Sequence, residues 1–259
     1  MIDYGSLLSP TVTELPQSGI RKFFDLLENM RDVTALTVGQ PDFVTPWHIR
    51  EAGIRSLEQG KTYYTSNAGT LELRKEISNY MNRRFDLHYD PAKEVVVTVG
   101  GSEAIDVAMR TILQPGDEVI IPTPAFPLYE SIVLMAGAKP VFLDTKPYVF
   151  QIPEAALAAV ITEKTKAIVL NSPNNPSGVI YTREVLTELA ALLNRKSEEF
   201  GHPIYIISDE PYRELAYDGV EVPFIPTIYR NTIVCYSYSK SLSLPGERIG
   251  YIYVPRQAT

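Results

Sequence analysis

The sequence is poor in the residues that build disulfides and metal sites. Its 259 residues include one cysteine, Cys235, which excludes an intramolecular disulfide and favours a reducing compartment. Because Cys235 falls in an apolar stretch, we expect it to pack in the interior. The three histidines, His48, His88 and His202, are scattered along the chain, so no metal site is predicted.

Clustered positive charge and long apolar runs are also scarce. The net charge is −7 without a basic cluster, which argues against nucleic acid or an anionic membrane as the main partner. No apolar run approaches the roughly 18 residues of a membrane span. The first residues lack the charged and apolar regions of a signal peptide, so a cytoplasmic location is expected.

Two parts of the chain have different patterns. Residues 1–45 form a proline-punctuated arm with one amphipathic segment at 20–30, whereas helix-like and strand-like stretches alternate from residue 46 onward. Short apolar runs predict seven strands, at 94–99, 118–121, 140–143, 167–170, 204–208, 232–236 and 250–254. Helical spacing predicts helices at 102–113, 128–136, 154–161 and 183–194, and one that carries Leu71, Leu73 and Ile77. The alternation predicts an α/β fold, a mostly parallel seven-stranded sheet with helices on both faces, which binds ligands beyond the carboxyl ends of its strands.

Lys240 stands just after the predicted strand at 232–236, among small hydroxyl residues. Burial at a strand end disfavours the ammonium form and frees the amine to attack an aldehyde. Arg248 follows eight residues later and can supply a permanent cation for a phosphate. The combination suits a Schiff-base site for pyridoxal 5'-phosphate (PLP), although a plain polar loop after a strand has the same composition.

Three further motifs follow predicted strands. Gly101 and Ser102 lie where a strand turns into a helix, which leaves N–H groups free for a phosphate but also serves an ordinary turn. Asn175, in the loop 171–178, can donate its amide to a phenolate oxygen, although asparagine and proline also mark structural turns. Phe126 can stack on an aromatic ring or belong to the core.

A carboxylate follows the strongly apolar strand predicted at 204–208. Burying the Asp209 carboxylate there costs free energy unless the carboxylate is paired. Opposite a pyridine nitrogen, it would keep that nitrogen protonated and make the ring an electron sink. Tyr212 can share the phenolate oxygen. A metal site with Glu210 is the alternative, but no histidine is placed to join it. The loop around Tyr64 has no clear role on its own.

Together, and in this order, the motifs resemble the class I/II aminotransferases of PLP fold type I, from about Gln17 to the last residue. The resemblance implies that Lys240 carries the cofactor as a Schiff base and shuttles a proton, and that Asp209 partners the pyridine nitrogen. It implies that Tyr212 and Asn175 bind the phenolate oxygen. The other cofactor-binding residues implied by the match are Gly101, Ser102, Ser237 and Arg248 at the phosphate, Glu103 beside them, and Phe126 stacked on the ring.

The resemblance also assigns residues outside these motifs. Tyr64 matches a tyrosine that the family sends into the neighbouring subunit's phosphate site, which implies a homodimer. Gly39 matches a glycine that approaches the substrate carboxylate, and Asn175 is expected to contact substrate as well. The family continues well beyond residue 259. Residues 1–45 are therefore expected to be an arm and small-domain segment and residues 46–259 the PLP-binding large domain, with the small C-terminal domain missing.

The implied activity is the transfer of an amino group between an L-amino acid and a 2-oxo acid. Another PLP reaction (C–S lysis or decarboxylation) and a truncated PLP-binding module without turnover stay open, because cofactor motifs serve a shared electron sink. A transcription regulator is disfavoured, since an arm of 45 residues that is not basic is too short for a DNA-binding domain. The segments 20–23, 39–43 and 64–69 resemble the bacterial branch with N-acetyl-diaminopimelate, aromatic and aspartate-like aminotransferases.

Overall fold

The computed structural model describes residues 4–13, 15, 30, 32–34, 39–255 and 258. Seven strands form one sheet in the order β1-β7-β6-β5-β4-β2-β3. The strands are β1 (Val95–Val99), β2 (Glu118–Thr123), β3 (Lys139–Asp144), β4 (Thr165–Asn171), β5 (Tyr205–Asp209), β6 (Thr232–Ser237) and β7 (Ile249–Tyr253). Every strand expected from the sequence is present, so the predicted seven-stranded sheet is confirmed.

Helices connect the strands and cover the sheet. In the described residues they are α1 (Pro10–Thr13), α2 (Trp47–Glu58), α3 (Leu71–Phe85), α4 (Gly100–Ile112), α5 (Leu128–Met135), α6 (Glu154–Ala158), α7 (Arg183–Phe200) and α8 (Tyr238–Ser241). Short 3-10 helices lie at Tyr4–Leu7, Lys146–Tyr148, Arg213–Leu215 and Ile225–Thr227. None of the helices in these described segments is long and apolar enough to cross a membrane.

The direction of the strands brings several strand ends to one edge of the sheet. Strands β2 to β6 pair in parallel, and β7 runs antiparallel to both β6 and β1. Strands β4, β5 and β6 therefore finish side by side, with Asn171, Asp209 and Ser237 as their last residues. Strand β1 ends at the same edge, which places Gly100, the first residue of α4, there too. We call this the carboxyl edge.

Both faces of the sheet are buried, which explains the continuous apolar runs. Along β4, Ile168 and Leu170 pack in the cluster that contains the apolar face of α7, whereas Val169 packs on the opposite side with α4 and α5. Successive side chains of a strand point to opposite faces, so a strand covered on both sides needs an apolar residue at every position. Each such side chain contributes about 1.5–3 kcal/mol on burial.

Some helix bounds differ from those that the sequence predicts. Helix α6 ends at Ala158 rather than at 161, because the chain tightens into a turn in which the Val160 N–H bonds to the Leu157 carbonyl. Helix α7 runs past 194 to Phe200 and ends where Gly201 adopts a φ of +73°. Helix α2 was not predicted, and none of its residues is buried. The amphipathic segment at 20–30 lies outside the described residues, apart from its last position.

Gly250 is expected to tolerate no side chain, because β7 touches the start of α4 there. A Cβ on Gly250 would lie 2.5 Å from the carbonyl carbon of Gly100 and 2.8 Å from the carbonyl oxygen of Tyr236. Both obstacles are backbone, so we expect Gly250→Ala to lower the free energy of unfolding by about 1–3 kcal/mol. In the control Gly246→Ala the new Cβ meets nothing within 4 Å. Urea denaturation of both variants measures the difference, and equal midpoints would contradict the expectation.

Candidate active site

A cleft of about 550 Å³ opens at the carboxyl edge. Open α/β sheets bind their ligands at this edge. Of the twelve site residues expected from the sequence, the ten that line the cleft are Gly39, Gly101, Ser102, Phe126, Asn175, Asp209, Tyr212, Ser237, Lys240 and Arg248. Most of them follow a strand that ends here, so the topology of the sheet brings them together.

Lys240 lies in the single-turn helix α8, directly after β6. Its Nζ donates a hydrogen bond to the carbonyl oxygen of Gly39 and lies 5.9 Å from the centre of the Tyr212 ring. Burial, and secondarily the positive charge of Arg248, lower the pKa of the Lys240 amine. More of this amine is therefore neutral near pH 7 than in an exposed lysine, and the neutral form attacks carbonyls and accepts protons.

Asp209 is a buried carboxyl at the end of β5. Burial raises the pKa of Asp209 to about 7, because a carboxylate loses its hydration there, while a hydrogen bond from Tyr129 acts in the opposite direction. The Tyr129 hydroxyl donates to Oδ2 of Asp209 over 2.5 Å. A cation next to Asp209 would stabilise the charged carboxylate, and a protonated ring nitrogen in the cleft would act as such a cation.

Asn175 and Tyr212 are joined by a hydrogen bond in the cleft, and the Tyr212 ring lies near Lys240. Burial, followed by the negative charge of Asp209, raises the pKa of the Tyr212 hydroxyl, whereas a hydrogen bond from Asn175 lowers it. The backbone N–H of Asn175 is itself held by Asn171 Oδ1 at 2.6 Å. An amide and a phenol placed together in this way can both donate to one oxygen of a ligand.

The start of α4 forms an anion-binding corner of the cleft. A Cβ on Gly100 would lie 2.5 Å from Nη2 of Arg248, so the guanidinium lies directly against the helix start. Gly101 faces the buried Ser237, where an added Cβ would come within 3.4 Å of the serine Cβ. Helix N–H groups, the hydroxyls of Ser102 and Ser237 and one guanidinium are the donors that a phosphate needs. The residues present therefore fit the phosphate of PLP.

Two of the twelve predicted residues do not line the cleft. The carboxylate of Glu103 accepts a hydrogen bond from the backbone N–H of Val99, so it caps the start of α4 from outside. Tyr64 is fully exposed on the loop between α2 and α3. The structure thus gives Glu103 a local structural role and leaves Tyr64 without a contact to this cleft.

A second cavity, of about 600 Å³, lies around Arg213, and none of the predicted site residues lines it. The buried Arg213 forms an ion pair with Glu210, and its guanidinium lies 4.8 Å from the centre of the Phe224 ring. Glu210, the alternative metal partner of Asp209, is occupied by this pair and by the Ser208 hydroxyl. In the part of the chain that the structure describes, no group of three or more His, Cys, Asp or Glu could hold a metal ion.

Two cleft residues, Tyr129 and Asn171, were not singled out from the sequence. Tyr129 follows Phe126 by three residues, and the two rings meet edge to face at 5.9 Å. Asn171 is the last residue of β4, directly before the loop that carries Asn175. The Tyr129 contact with Asp209 spans 80 residues of sequence, so only the assembled sheet shows it.

Comparison with known proteins identifies relatives of this chain. A family model described as aminotransferase class I and II matches residues 31–259. The chain is 46% identical over 253 residues to the putative aminotransferase YugH of Bacillus subtilis, covering 96% of this chain and 64% of that one. It is 43% identical over 250 residues to the probable N-acetyl-LL-diaminopimelate aminotransferase of the same organism, covering 96% and 62%.

Solved structures give the same result. The crystal structure of an amino transferase from Eubacterium rectale superposes with a TM-score of 0.88 at 37% identity, covering 96% of this chain and 66% of that one. The chain thus spans 62% to 64% of the length of the two curated relatives. Both the family match and the fold confirm the resemblance on which the site was predicted. The chain belongs to the class I and II aminotransferases of PLP fold type I, a family whose members use pyridoxal 5'-phosphate.

Proposed function

We propose that this chain binds PLP through Lys240 and serves an aminotransferase that moves an amino group between an L-amino acid and a 2-oxo acid. The observation that carries the proposal is the meeting of a lysine of lowered pKa, a buried carboxyl and an anion-binding corner in one cleft. When bound, PLP supplies an aldehyde that condenses with amines and a ring that withdraws electrons from the Cα of an amino acid.

The residues around the ring would each hold one of its parts. Asp209 would place a negative charge at the ring nitrogen, and the amide of Asn175 and the phenol of Tyr212 would bind the ring oxygen. Phe126 would cover one face of the ring, since its side chain lines the cleft above the strand ends. The donors at the start of α4, with Ser237 and Arg248, would bind the phosphate.

Lys240 would act on the substrate once an amino acid has taken its place on the cofactor. Its neutral amine would accept the proton from the substrate Cα, and the lowered pKa favours the neutral form before each transfer. The Gly39 carbonyl, which accepts a hydrogen bond from Nζ, orients the amine. Gly39 and Asn175 would also contact the substrate, because both line the cleft next to Lys240.

The assembly and the biological setting are part of the same proposal. Tyr64 is fully exposed, and the side chains of Phe43, Trp47 and Tyr63 are exposed as well. A second copy of the chain in a homodimer would cover such apolar surface. Tyr64 would then reach the partner's phosphate corner. Residues 46–259 would form the PLP-binding domain and residues 1–45 an arm. We assign a cytoplasmic location and substrates like those of the diaminopimelate, aromatic and aspartate relatives.

The first test adds PLP to the purified chain and records the visible spectrum. Borohydride reduction and peptide mapping are expected to find the cofactor on Lys240. In unreduced samples, single L-amino acids, beginning with aspartate and the aromatic ones, are expected to yield pyridoxamine phosphate and a 2-oxo acid. Labelled Lys240 with no conversion by any donor would restrict the function to cofactor binding, and unlabelled Lys240 would contradict the proposal.

Arg248 is expected to recognise the phosphate rather than the ring. Arg248→Gln removes a charge-assisted hydrogen bond of about 1.5–3 kcal/mol, so the affinity for PLP should fall by roughly 10- to 150-fold. The affinity for pyridoxal, which lacks the phosphate, should change little. Absorbance titrations of both aldehydes with both proteins measure this selectivity. An equal loss of affinity for the two aldehydes would place the phosphate elsewhere.

A further inference from the structure

Asn171 links the group that would hold the nitrogen of the cofactor ring to the group that would hold its phenolate oxygen. It is the last residue of β4, is 3% exposed and pairs with Asp209 in the β4–β5 ladder. Its Nδ2 donates to the carbonyl oxygen of Asp209 over 2.8 Å, and its Oδ1 accepts from the backbone N–H of Asn175 over 2.6 Å. Both polar ends of one buried amide are therefore used.

One of these two hydrogen bonds joins the ends of β4 and β5, and the other fixes the loop that follows β4. The β4–β5 ladder ends at Asn171 and Asp209, and Pro173 and Pro211, two residues further along each strand, have no N–H to continue it. The Asn171 side chain adds a hydrogen bond between the two segments, to the Asp209 carbonyl. Its Oδ1 also holds the backbone N–H of Asn175 next to the end of β4.

The geometry makes one planar side chain the common anchor of two ligand-binding groups. The Asp209 backbone is fixed at one end of the Asn171 amide, and the loop that carries the Asn175 side chain is fixed at the other. Asn175 in turn contacts Tyr212, so a displacement of Asn175 would also disturb the position of the Tyr212 hydroxyl. A shift at this anchor would change the distance between the two sides of the ring site.

We propose that Asn171 is a positioning residue that sets the separation of Asp209 and Asn175, and thereby the plane in which the PLP ring is bound. The inference rests on the proposed PLP function. Asn171 acts through its neighbours, since its own polar atoms are already engaged. It is therefore distinct from the residues that would contact the reacting atoms.

Three variants separate this role from a general contribution to folding. Asn171→Ala removes both hydrogen bonds. Asn171→Asp keeps an acceptor for the Asn175 N–H but sets an oxygen against the Asp209 carbonyl. Ser172→Ala is the matched control, because Ser172 is the next residue, is 5% exposed and accepts a hydrogen bond from the Tyr181 N–H over 3.1 Å, away from Asp209 and Asn175.

Hydrogen exchange of the PLP-free chain gives a readout that needs no cofactor. Exchange of the Asn175 N–H, measured by NMR, is expected to accelerate by at least about tenfold in Asn171→Ala, because its acceptor is gone. It should stay slow in Asn171→Asp and in Ser172→Ala. Slow exchange of this N–H in Asn171→Ala would show that the hydrogen bond is not what holds Asn175, and would overturn the proposal.

Cofactor titration supplies the second readout. Both Asn171 variants are expected to bind PLP about 10- to 100-fold more weakly, and Ser172→Ala within about threefold of the unaltered chain. When the Asn175 side chain is already removed by Asn175→Ala, the further effect of Asn171→Ala should shrink to about threefold.

Each outcome of the titration decides something. Unchanged PLP affinity in Asn171→Ala, or an equal loss in Ser172→Ala, would overturn the positioning role. If the unaltered chain captures no PLP, the proposed function fails, and the exchange rates alone then decide whether Asn171 holds Asn175.

Discussion

Asp209→Asn is expected to stabilise the PLP-free chain at pH 8 while it removes most of the activity. The folded chain raises the pKa of Asp209 from 3.8 to about 7, because burial removes the hydration of the carboxylate. Between these two values the folded chain binds a proton that the unfolded chain releases. The free energy of unfolding therefore falls as the pH rises from about 4 to 7.

The size of the effect follows from the two pKa values. The difference between 3.8 and about 7 corresponds to as much as about 4 kcal/mol, at about 1.4 kcal/mol per pKa unit. Asparagine has the same shape without the charge, and its amide oxygen can still accept from Tyr129. We expect the variant to be more stable than the unaltered chain by about 1–4 kcal/mol at pH 8 and nearly equal to it at pH 4.

Denaturation curves recorded at several pH values test this expectation. The matched control is Asp144→Asn, because Asp144 also ends a strand but is exposed and accepts a hydrogen bond from the Lys146 N–H over 3.0 Å. The control should change the stability by less than about 0.5 kcal/mol at either pH. A stability gain in Asp209→Asn that is the same at pH 4 and pH 8 would show that the carboxyl does not titrate as expected.

The same substitution should be harmful once PLP is present. A neutral amide cannot hold a positive charge at the ring nitrogen, so the conversion of PLP by an amino donor should slow by at least about a hundredfold. PLP should then stabilise the unaltered chain more than the variant. A gain in stability without PLP together with a loss of activity with PLP would indicate that the chain keeps a destabilising buried carboxylate because the cofactor needs it.

The sheet and most of the cleft could be predicted because their signals are local. A strand buried on both faces must be apolar at successive positions, as at Ile168, Val169 and Leu170, and such runs stand out in the sequence. Parallel strands end at one edge, so residues that follow different strands, such as Asp209 and Lys240, converge without any knowledge of their contacts. The alternation of strands and helices along the chain carried this part of the prediction.

The remaining features depend on contacts or on surfaces that the sequence pattern does not encode. Asn171 contacts Asp209, which is 38 residues away in the sequence. In the sequence alone, an asparagine at this position looks like an ordinary turn residue. Helix α2, which was not predicted, buries none of its residues within the chain, so the packing of the sheet does not account for it. Glu103 did carry a local signal, since a glutamate in the first turn of a helix commonly caps it, and the capping interaction is what the structure shows.

Lys240→Ala is expected to abolish covalent capture of PLP and to slow the transfer of the amino group by about 10²- to 10⁴-fold or more. The variant loses both the amine that condenses with the aldehyde and the base that accepts the Cα proton. Its fold should be nearly unaffected, because the side chain is partly buried and, among the residues that the structure describes, makes one hydrogen bond, to the Gly39 carbonyl. Lys240→Arg should be equally inactive, since a guanidinium stays charged and does not condense with aldehydes.

A matched lysine shows whether the loss is specific to the cleft. Lys166 is also partly buried beside a tyrosine, with Nζ 5.7 Å from the Tyr205 ring centre, but it lies outside the cleft. Lys166→Ala should keep PLP capture and donor conversion at the level of the unaltered chain. Because burial and Arg248 lower the pKa of Lys240, its labelling by PLP should persist to lower pH than that of exposed lysines. If reduction labels Lys166 and Lys240 alike, the cleft does not select its lysine, and the assignment of Lys240 is wrong.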